Sequence, residues 1–154
     1  MIFVTLGNVP LPFARLAEAA DKLAGETQEE MVMQTGFTVG TYPHAKVRPF
    51  LGAEEMADLL TRADIVVAHG GWGTISECLR LGKKVVAVPR IQGIEHNHPQ
   101  EELVRALDNG GHLIGVYEIE KLPEAVARAR TFVGNRLIRG RVPSLIKAFM
   151  ETVV

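Results

Sequence analysis

Cysteine, aromatic residues and an excess of either charge are all scarce in this sequence. Cys78 is the only cysteine in 154 residues, which excludes an internal disulfide and favours a reducing compartment. Aromatic residues make up 6% of the chain and the formal net charge is -1, so neither base-stacking platforms nor a basic surface is indicated. We therefore expect no nucleic-acid partner.

Long apolar runs are absent too. No segment approaches the roughly 20 consecutive apolar residues of a membrane-spanning helix, and the start of the chain indicates a strand rather than a basic leader. These absences predict a cytoplasmic protein. With 47% hydrophobic and 23% charged residues, residues 1–154 are expected to fold as one globular domain that buries roughly 70% of its unfolded surface.

Short apolar runs alternate with segments of helical periodicity, which is typical of an α/β fold with a mostly parallel sheet. Strands are predicted at residues 2–6, 30–35, 46–51, 65–68, 84–88 and 112–116. Helices are predicted around residues 13–23, 53–62, 75–81, 97–109, 122–132 and 143–153. The last helix is amphipathic and follows several arginines, so it is either an ordinary core helix or a segment that docks on a membrane-bound partner.

The segment 63–82 carries the strongest local signal. A strand pattern ends at Ala68, glycines occupy positions 70, 71 and 73, and helical spacing starts at Ile75. Glycines allow a ligand to approach the backbone, and the free N–H groups and dipole of a following helix attract anions. The segment therefore predicts a phosphate site.

Ligands of parallel sheets gather at the carboxyl ends of the strands, so the loops after residues 6, 51, 68 and 88 should converge. The last of these loops, residues 89–100, is longer than most such connections and indicates a functional segment. It contains Glu95, His96 and His98. No further ligand stands at a suitable spacing from these side chains, so we expect no metal site.

Several motifs together resemble a known family. They are His69-Gly-Gly-Trp-Gly-Thr-Ile-Ser-Glu77, Gly82-Lys-Lys-Val-Val-Ala-Val-Pro-Arg90, Glu95-His96, Gln100-Glu-Glu-Leu103 and the opening Phe3-Val-Thr-Leu-Gly7 with Pro12-Phe13. Over about residues 1–120 they are similar to the C-terminal, nucleotide-sugar-binding domain of family 28 glycosyltransferases. Start, length and motif order resemble its small stand-alone subunits, namely the eukaryotic dolichol-linked GlcNAc transferase subunit and the bacterial exopolysaccharide and capsule subunits.

This resemblance implies one half of a GT-B glycosyltransferase, built as a Rossmann-like parallel sheet with helices on both faces. A UDP-sugar would bind to this half, and a lipid-linked glycan acceptor would bind to a separate, membrane-anchored subunit. The chain would then lie at the inner face of the membrane through that partner. The resemblance implies that no metal or other cofactor is needed, because the UDP-sugar is itself the donor substrate.

The resemblance also implies site residues, by matching positions. Glu77 would bind the ribose hydroxyls and Gln100 the sugar. Gly71, Gly73 and Thr74 would face the diphosphate. The full predicted set of substrate-binding residues is Gly7, Asn8, Phe50, Leu51, His69, Gly70, Gly71, Gly73, Thr74, Glu77 and Gln100. Within it, Phe50 and Leu51 are matched to the uracil, and Gly7 and Asn8 to the diphosphate or the domain cleft. The chain differs from the family pattern at Trp72 and Pro99.

Some of these residues have simpler interpretations. Thr74 and Glu77 also fit a capping box that closes the start of a helix, and His69 could be a structural histidine. No catalytic base is evident, although His44, His96 and His98 are candidates if they are exposed. General-base catalysis at the acceptor hydroxyl is therefore not assigned to any residue of this chain.

Two other functions compete with this one. Residues 71–76 form an incomplete G-x-G-x-x-G, the fingerprint of nicotinamide-dinucleotide domains, and Arg90 could then bind a 2′-phosphate. The third glycine of that fingerprint is missing, and two further predicted strands stand between the first strand and the strand that leads into this turn. A non-catalytic regulatory subunit that binds a partner through the same cleft is the second alternative.

Overall fold

Six strands form one parallel sheet in the computed structural model, which describes residues 1–136. The strands are β1 (Ile2–Thr5), β2 (Met31–Gln34), β3 (Lys46–Arg48), β4 (Ile65–His69), β5 (Lys84–Val88) and β6 (Ile114–Gly115). Their order is β3-β2-β1-β4-β5-β6, and every neighbouring pair is parallel. The order reverses between β1 and β4, where doubly wound sheets open a ligand crevice. The predicted Rossmann-like α/β fold is confirmed.

Helices cover both faces of this sheet. One face carries α1 (Ala14–Glu26) and α5 (Leu122–Ala129), and the other carries α2 (Ala53–Arg62), α3 (Trp72–Arg80) and α4 (Glu101–Asn109). A short 3-10 helix precedes α5. The side chains of β1, β4 and β5 alternate between the two layers and are mostly apolar, because both faces of these strands are buried. Among residues 1–136, no helix has the length and apolar character that crossing a membrane requires.

Several predicted boundaries differ from the structure. The strand predicted at 46–51 ends at Arg48, because Pro49 has no N–H to extend the ladder. The helix predicted from residue 97 begins at Glu101, since Pro99 disfavours a helical backbone at the residue before it. The strand predicted at 112–116 is only two residues long at the sheet edge, and the helix predicted to reach 132 ends at Ala129. The helix predicted at 143–153 lies outside the described residues.

Gln34, at the end of β2, connects the loops that follow β1 and β3. Its Oε1 accepts hydrogen bonds from Thr5 Oγ1 at 2.7 Å and Gly7 N at 3.2 Å. Its Nε2 donates to the carbonyls of Gly7 and Pro49 and, at 3.0 Å, to Asn8 Oδ1. Only 1% of Gln34 is exposed, so these groups have no ready replacement partner in water. One side chain therefore fixes two loops at the carboxyl edge of the sheet.

Gln34→Leu is expected to lower the free energy of unfolding by about 2–4 kcal/mol, because the buried Thr5 hydroxyl and Gly7 N–H lose their hydrogen-bond partner. Urea unfolding followed by circular dichroism measures the change. Gln28→Leu replaces an exposed glutamine and serves as the control, with an expected change below about 0.5 kcal/mol. Equal stability of Gln34→Leu and the wild type would contradict this role for Gln34.

Candidate functional site

His69, the last residue of β4, lies between two glycines at the point where the strand order reverses. A Cβ atom on Gly7 would lie 2.6 Å from His69 Nε2, and a Cβ atom on Gly71 would overlap the same ring. Both positions therefore require glycine while the ring stays in place. Gly7 follows β1 and Gly71 follows β4, so the loops of these two neighbouring strands meet at this imidazole, as the sheet arrangement led us to expect.

The imidazole of His69 is neutral. The backbone N–H of Gly71 donates to its Nδ1 over 3.0 Å, which places the proton of the neutral ring on Nε2. Burial, and then the positive charge of Arg90, lowers the pKa of His69 to about 4. At neutral pH, His69 can therefore donate a hydrogen bond from Nε2, but it has no unused lone pair with which to take a proton.

The amino end of α3 presents backbone donors beside this histidine. Gly71 is the N-cap residue, so the N–H groups of Trp72, Gly73 and Thr74 have no partner within the helix. None of them finds a hydrogen-bond acceptor elsewhere in residues 1–136. A Cβ atom on Gly73 would meet no atom within 4 Å, so the fold itself does not require glycine there. Three free donors and the helix dipole suit a phosphate group.

The capping-box interpretation of Thr74 and Glu77 is wrong. The helix begins at Trp72, so Thr74 is its third residue and Glu77 its sixth. Thr and Glu three residues apart form a capping box only at the start of a helix, and their spacing alone does not show where the helix starts. Glu77 is exposed, and its carboxylate makes no hydrogen bond or ion pair with any residue in the range 1–136. It is therefore available to a ligand.

Gln100, directly before α4, packs closely against the turn after β4. Its Oε1 accepts a hydrogen bond from Arg90 N at 3.1 Å, and a Cβ atom on Gly70 would lie 2.8 Å from the Gln100 Cβ. Gly70 thus allows the two loops to touch. Because the Gln100 oxygen is engaged, the Nε2 amide is the part of this side chain that remains for a ligand.

Arg90 is a buried connector between loops. Its guanidinium donates to backbone carbonyls of four residues, Leu6, Leu11, Pro12 and Glu95. Only 2% of the residue is exposed, and burial lowers the pKa of Arg90. Since these carbonyls enclose the charged group, Arg90 is not placed to bind a 2′-phosphate.

Glu95 binds an arginine. Its carboxylate accepts hydrogen bonds from Arg15 Nε at 2.9 Å and Nη2 at 3.0 Å, and from the backbone N–H of Ile91 at 2.8 Å. The neighbouring His96 uses Nδ1 to accept from the backbone N–H of His98. Within the described part of the chain, no group of three potential metal ligands exists. These hydrogen bonds fix the conformation of the loop 89–100.

Of the three candidate histidines, His96 and His98 lie together, with ring centroids 5.7 Å apart, whereas His44 lies elsewhere. His44 comes just before β3, at the amino-terminal edge of the sheet, where its backbone N–H donates to Asp21 Oδ1. That edge is opposite the crevice, so His44 is not a base for chemistry there. His96 is half-buried and His98 is exposed, and both lie in the loop after β5.

Phe50 and Leu51 lie in the loop after β3, where Phe50 contacts an aromatic residue that sequence patterns did not select. This residue is Phe37, in the loop after β2. The two ring centroids are 5.1 Å apart at an interplanar angle of 77°, and about half of each residue is exposed. A bulky apolar residue between polar loop residues is the only sequence signal that could have pointed to Phe37.

The six-stranded parallel sheet with helices on both faces has the fold of the C-terminal half of a GT-B glycosyltransferase. The structure of MurG from Acinetobacter baumannii superposes with a TM-score of 0.61 and 17% identity, covering 86% of this chain and 42% of that one. The solution structure of ALG13 gives a TM-score of 0.59 and 19% identity, covering 99% of this chain and 96% of that one. At these identities the likeness concerns the fold.

This chain belongs to glycosyltransferase family 28, whose C-terminal domain profile matches residues 1–134. A relative from Rhizobium johnstonii is 30% identical over 107 residues. It is a UDP-N-acetylglucosamine--N-acetylmuramyl-(pentapeptide) pyrophosphoryl-undecaprenol N-acetylglucosamine transferase, and the match covers 70% of this chain and 28% of the relative. The chain thus spans less than a third of that protein. In this chain, the glycine-rich turn follows β4. In nicotinamide-dinucleotide domains this turn follows the first strand, so its position also argues against that class.

Lowering the pH is expected to lower the free energy of unfolding through His69. The pKa of His69 is about 4 in the fold against 6.5 for the ordinary side chain, so between these values only the unfolded chain binds the proton and stability falls as the pH falls. From pH 7 to pH 5, the wild type should lose about 2 kcal/mol relative to His69→Gln. Urea unfolding at both pH values measures this difference, with His98→Gln as the exposed control. Equal pH dependence of wild type and His69→Gln would contradict a neutral His69.

Proposed function

We propose that this domain binds the UDP-sugar donor of a two-component glycosyltransferase and that the sugar is transferred to a lipid-linked acceptor in polysaccharide or glycan assembly. The acceptor binds to a separate, membrane-anchored subunit, which holds this chain at the inner, cytoplasmic face of the membrane. The donor is a substrate of the reaction, and no cofactor takes part.

One observation carries the donor site. The first turn of α3 holds three backbone N–H groups without acceptors in residues 1–136, and the space over Gly73 is open. A diphosphate placed there would accept these hydrogen bonds and lie along the helix dipole. His69 Nε2–H adds a neutral donor on the side of β1. The carboxylate of Glu77, one turn further along α3, accepts hydrogen bonds from the two ribose hydroxyls.

The proposed division into two components is drawn from the proteins to which this chain is similar. The chain corresponds to 28% of the Rhizobium transferase, whereas it corresponds to 96% of the ALG13 chain. The name of the Rhizobium protein includes a UDP-sugar donor and a pyrophosphoryl-undecaprenol acceptor. We extend both chemical classes to this protein, with the acceptor assigned to the other half of the GT-B enzyme.

The chemistry assigned to this half is stabilisation of the leaving group. As the bond between sugar and diphosphate breaks, negative charge develops on UDP, and the fixed donors of α3 stabilise it without reorganisation. His69 is not the general base, because its Nδ1 accepts from Gly71 and its Nε2 already carries the proton. The base that takes the proton of the acceptor hydroxyl is then supplied by the partner subunit or by other residues at the cleft.

A transfer assay with and without the co-expressed membrane subunit tests the two-component arrangement. Transfer that requires both chains and UDP-sugar binding by this chain alone are the expected results. Full transfer with a partner and no UDP-sugar binding by this chain would favour the regulatory-subunit alternative. A thermal shift with NADP and none with UDP would overturn the proposal.

Gly73→Ala is expected to change stability and ligand binding in opposite directions. Alanine in the first turn of α3 meets open space and raises the free energy of unfolding by up to about 1 kcal/mol. The added methyl group occupies the place of the diphosphate, so UDP affinity should fall about tenfold or more. The fluorescence of Trp72, the only tryptophan, reports UDP binding beside the substituted residue, and calorimetry confirms the affinity. Unchanged UDP affinity in this variant would contradict the diphosphate position.

Glu77→Gln is expected to weaken UDP binding by about 1–3 kcal/mol, because the ribose loses a charged acceptor. Stability should stay the same, since Glu77 is exposed and has no partner in residues 1–136. Glu102→Gln, which replaces an exposed glutamate at the start of α4, is the control. Calorimetric titration with UDP separates the two variants, and equal affinities would contradict the ribose assignment.

A further inference from the structure

Phe37 and Phe50 form an exposed aromatic pair at the carboxyl edge of the sheet. Their ring centroids are 5.1 Å apart, and an interplanar angle of 77° directs the edge of one ring at the face of the other. At least one face of each ring is therefore not covered by its neighbour. The exposed fractions are 50% for Phe37 and 51% for Phe50. The two half-exposed rings therefore form one apolar patch at this edge.

The backbone around both rings is fixed by hydrogen bonds. Gly36 N donates to Pro49 O at 2.7 Å, and Thr35 N donates to Arg48 O at 3.0 Å, which ties the two loops together. On the other side of Phe37, the buried Thr38 hydroxyl accepts from Phe13 N at 2.9 Å. The aromatic pair is thus held in place before any ligand arrives, which lowers the entropic cost of binding.

Gly36 fixes the position of Phe37 relative to the crevice. Its φ of +56° is one that other residues rarely adopt, and a Cβ atom there would overlap the Gly7 carbonyl. Gly7 in turn lies against His69 at the switch point. Gln34 also joins Gly7 to Pro49, the residue before Phe50. The same contacts therefore position the aromatic pair and the floor of the crevice.

We propose that Phe37, together with Phe50, forms the wall on which the base of the bound nucleotide stacks. The inference rests on the proposed donor function and extends it to a residue that neither the motifs nor the family resemblance had selected. A planar base fits this pair because aromatic faces stack on one another with little demand for hydrogen bonds. The pair lies in loops that are hydrogen-bonded to the loop after β1, and that loop borders the proposed diphosphate position.

Variants at Phe37 test this wall by their affinity for UDP. In calorimetric titrations of the full chain, Phe37→Ala and Phe37→Leu should each bind UDP about tenfold more weakly than the wild type. Phe37→Tyr keeps an aromatic face and should stay within about twofold of the wild type. Val39→Ala is the control, because Val39 is a 94% exposed apolar residue in the same loop, and its affinity should not change.

The outcomes separate this inference from the function on which it rests. If the wild type does not bind UDP, the proposed function fails and the inference fails with it. If the wild type binds UDP and Phe37→Ala binds it equally well, only the aromatic wall is wrong. Weakening by Phe37→Tyr as strong as that by Phe37→Ala would also overturn stacking. If Phe37→Ala binds UDP as tightly as the wild type but no longer supports transfer together with the membrane subunit, Phe37 contacts a protein instead of the base.

Discussion

The shape of the crevice depends on hydrogen bonds to backbone N–H and C=O groups just beyond the ends of the parallel strands, where the sheet offers them no partner. Beyond the last ladder bond of each strand, N–H and C=O groups lie in a place that water reaches poorly, and each unpaired one costs stability. Gln34 pairs the groups after β1 and β3, and Arg90 pairs four carbonyls after β1 and β5. The loops are thereby fixed while the first turn of α3 keeps its donors free.

Burying a guanidinium is costly, and the surroundings of Arg90 offset that cost. Carbonyl dipoles surround its Nη atoms, and the ring of Phe13 lies 4.6 Å from its Cζ. Arg15 contacts the same ring at 5.0 Å and holds Glu95. Charge and aromatic packing together fix the long loop 89–100 against the start of α1. Gln100 is consequently presented to the crevice from a fixed backbone.

Local patterns predicted the elements well and their ends less well. The run of residues 65–68 is apolar in every position because helices cover both faces, and this makes it easy to recognise. The ends were harder, because a proline at 49 or 99 acts through hydrogen bonds and backbone conformations that periodicity does not show. Thr74 and Glu77 illustrate the same difficulty, since their spacing fits a cap but the helix had already begun at Trp72.

By itself the sequence determined the parallel α/β fold, the glycine-rich turn before α3 and the family that these motifs indicate. These features are local, because strand burial, glycine conformation and helix spacing depend on residues close together in the chain. The neutral state of His69, the burial of Arg90 and the contact between Phe37 and Phe50 were decided only by the tertiary structure. Each of them depends on strand order, which brings distant residues together and which no local pattern encodes.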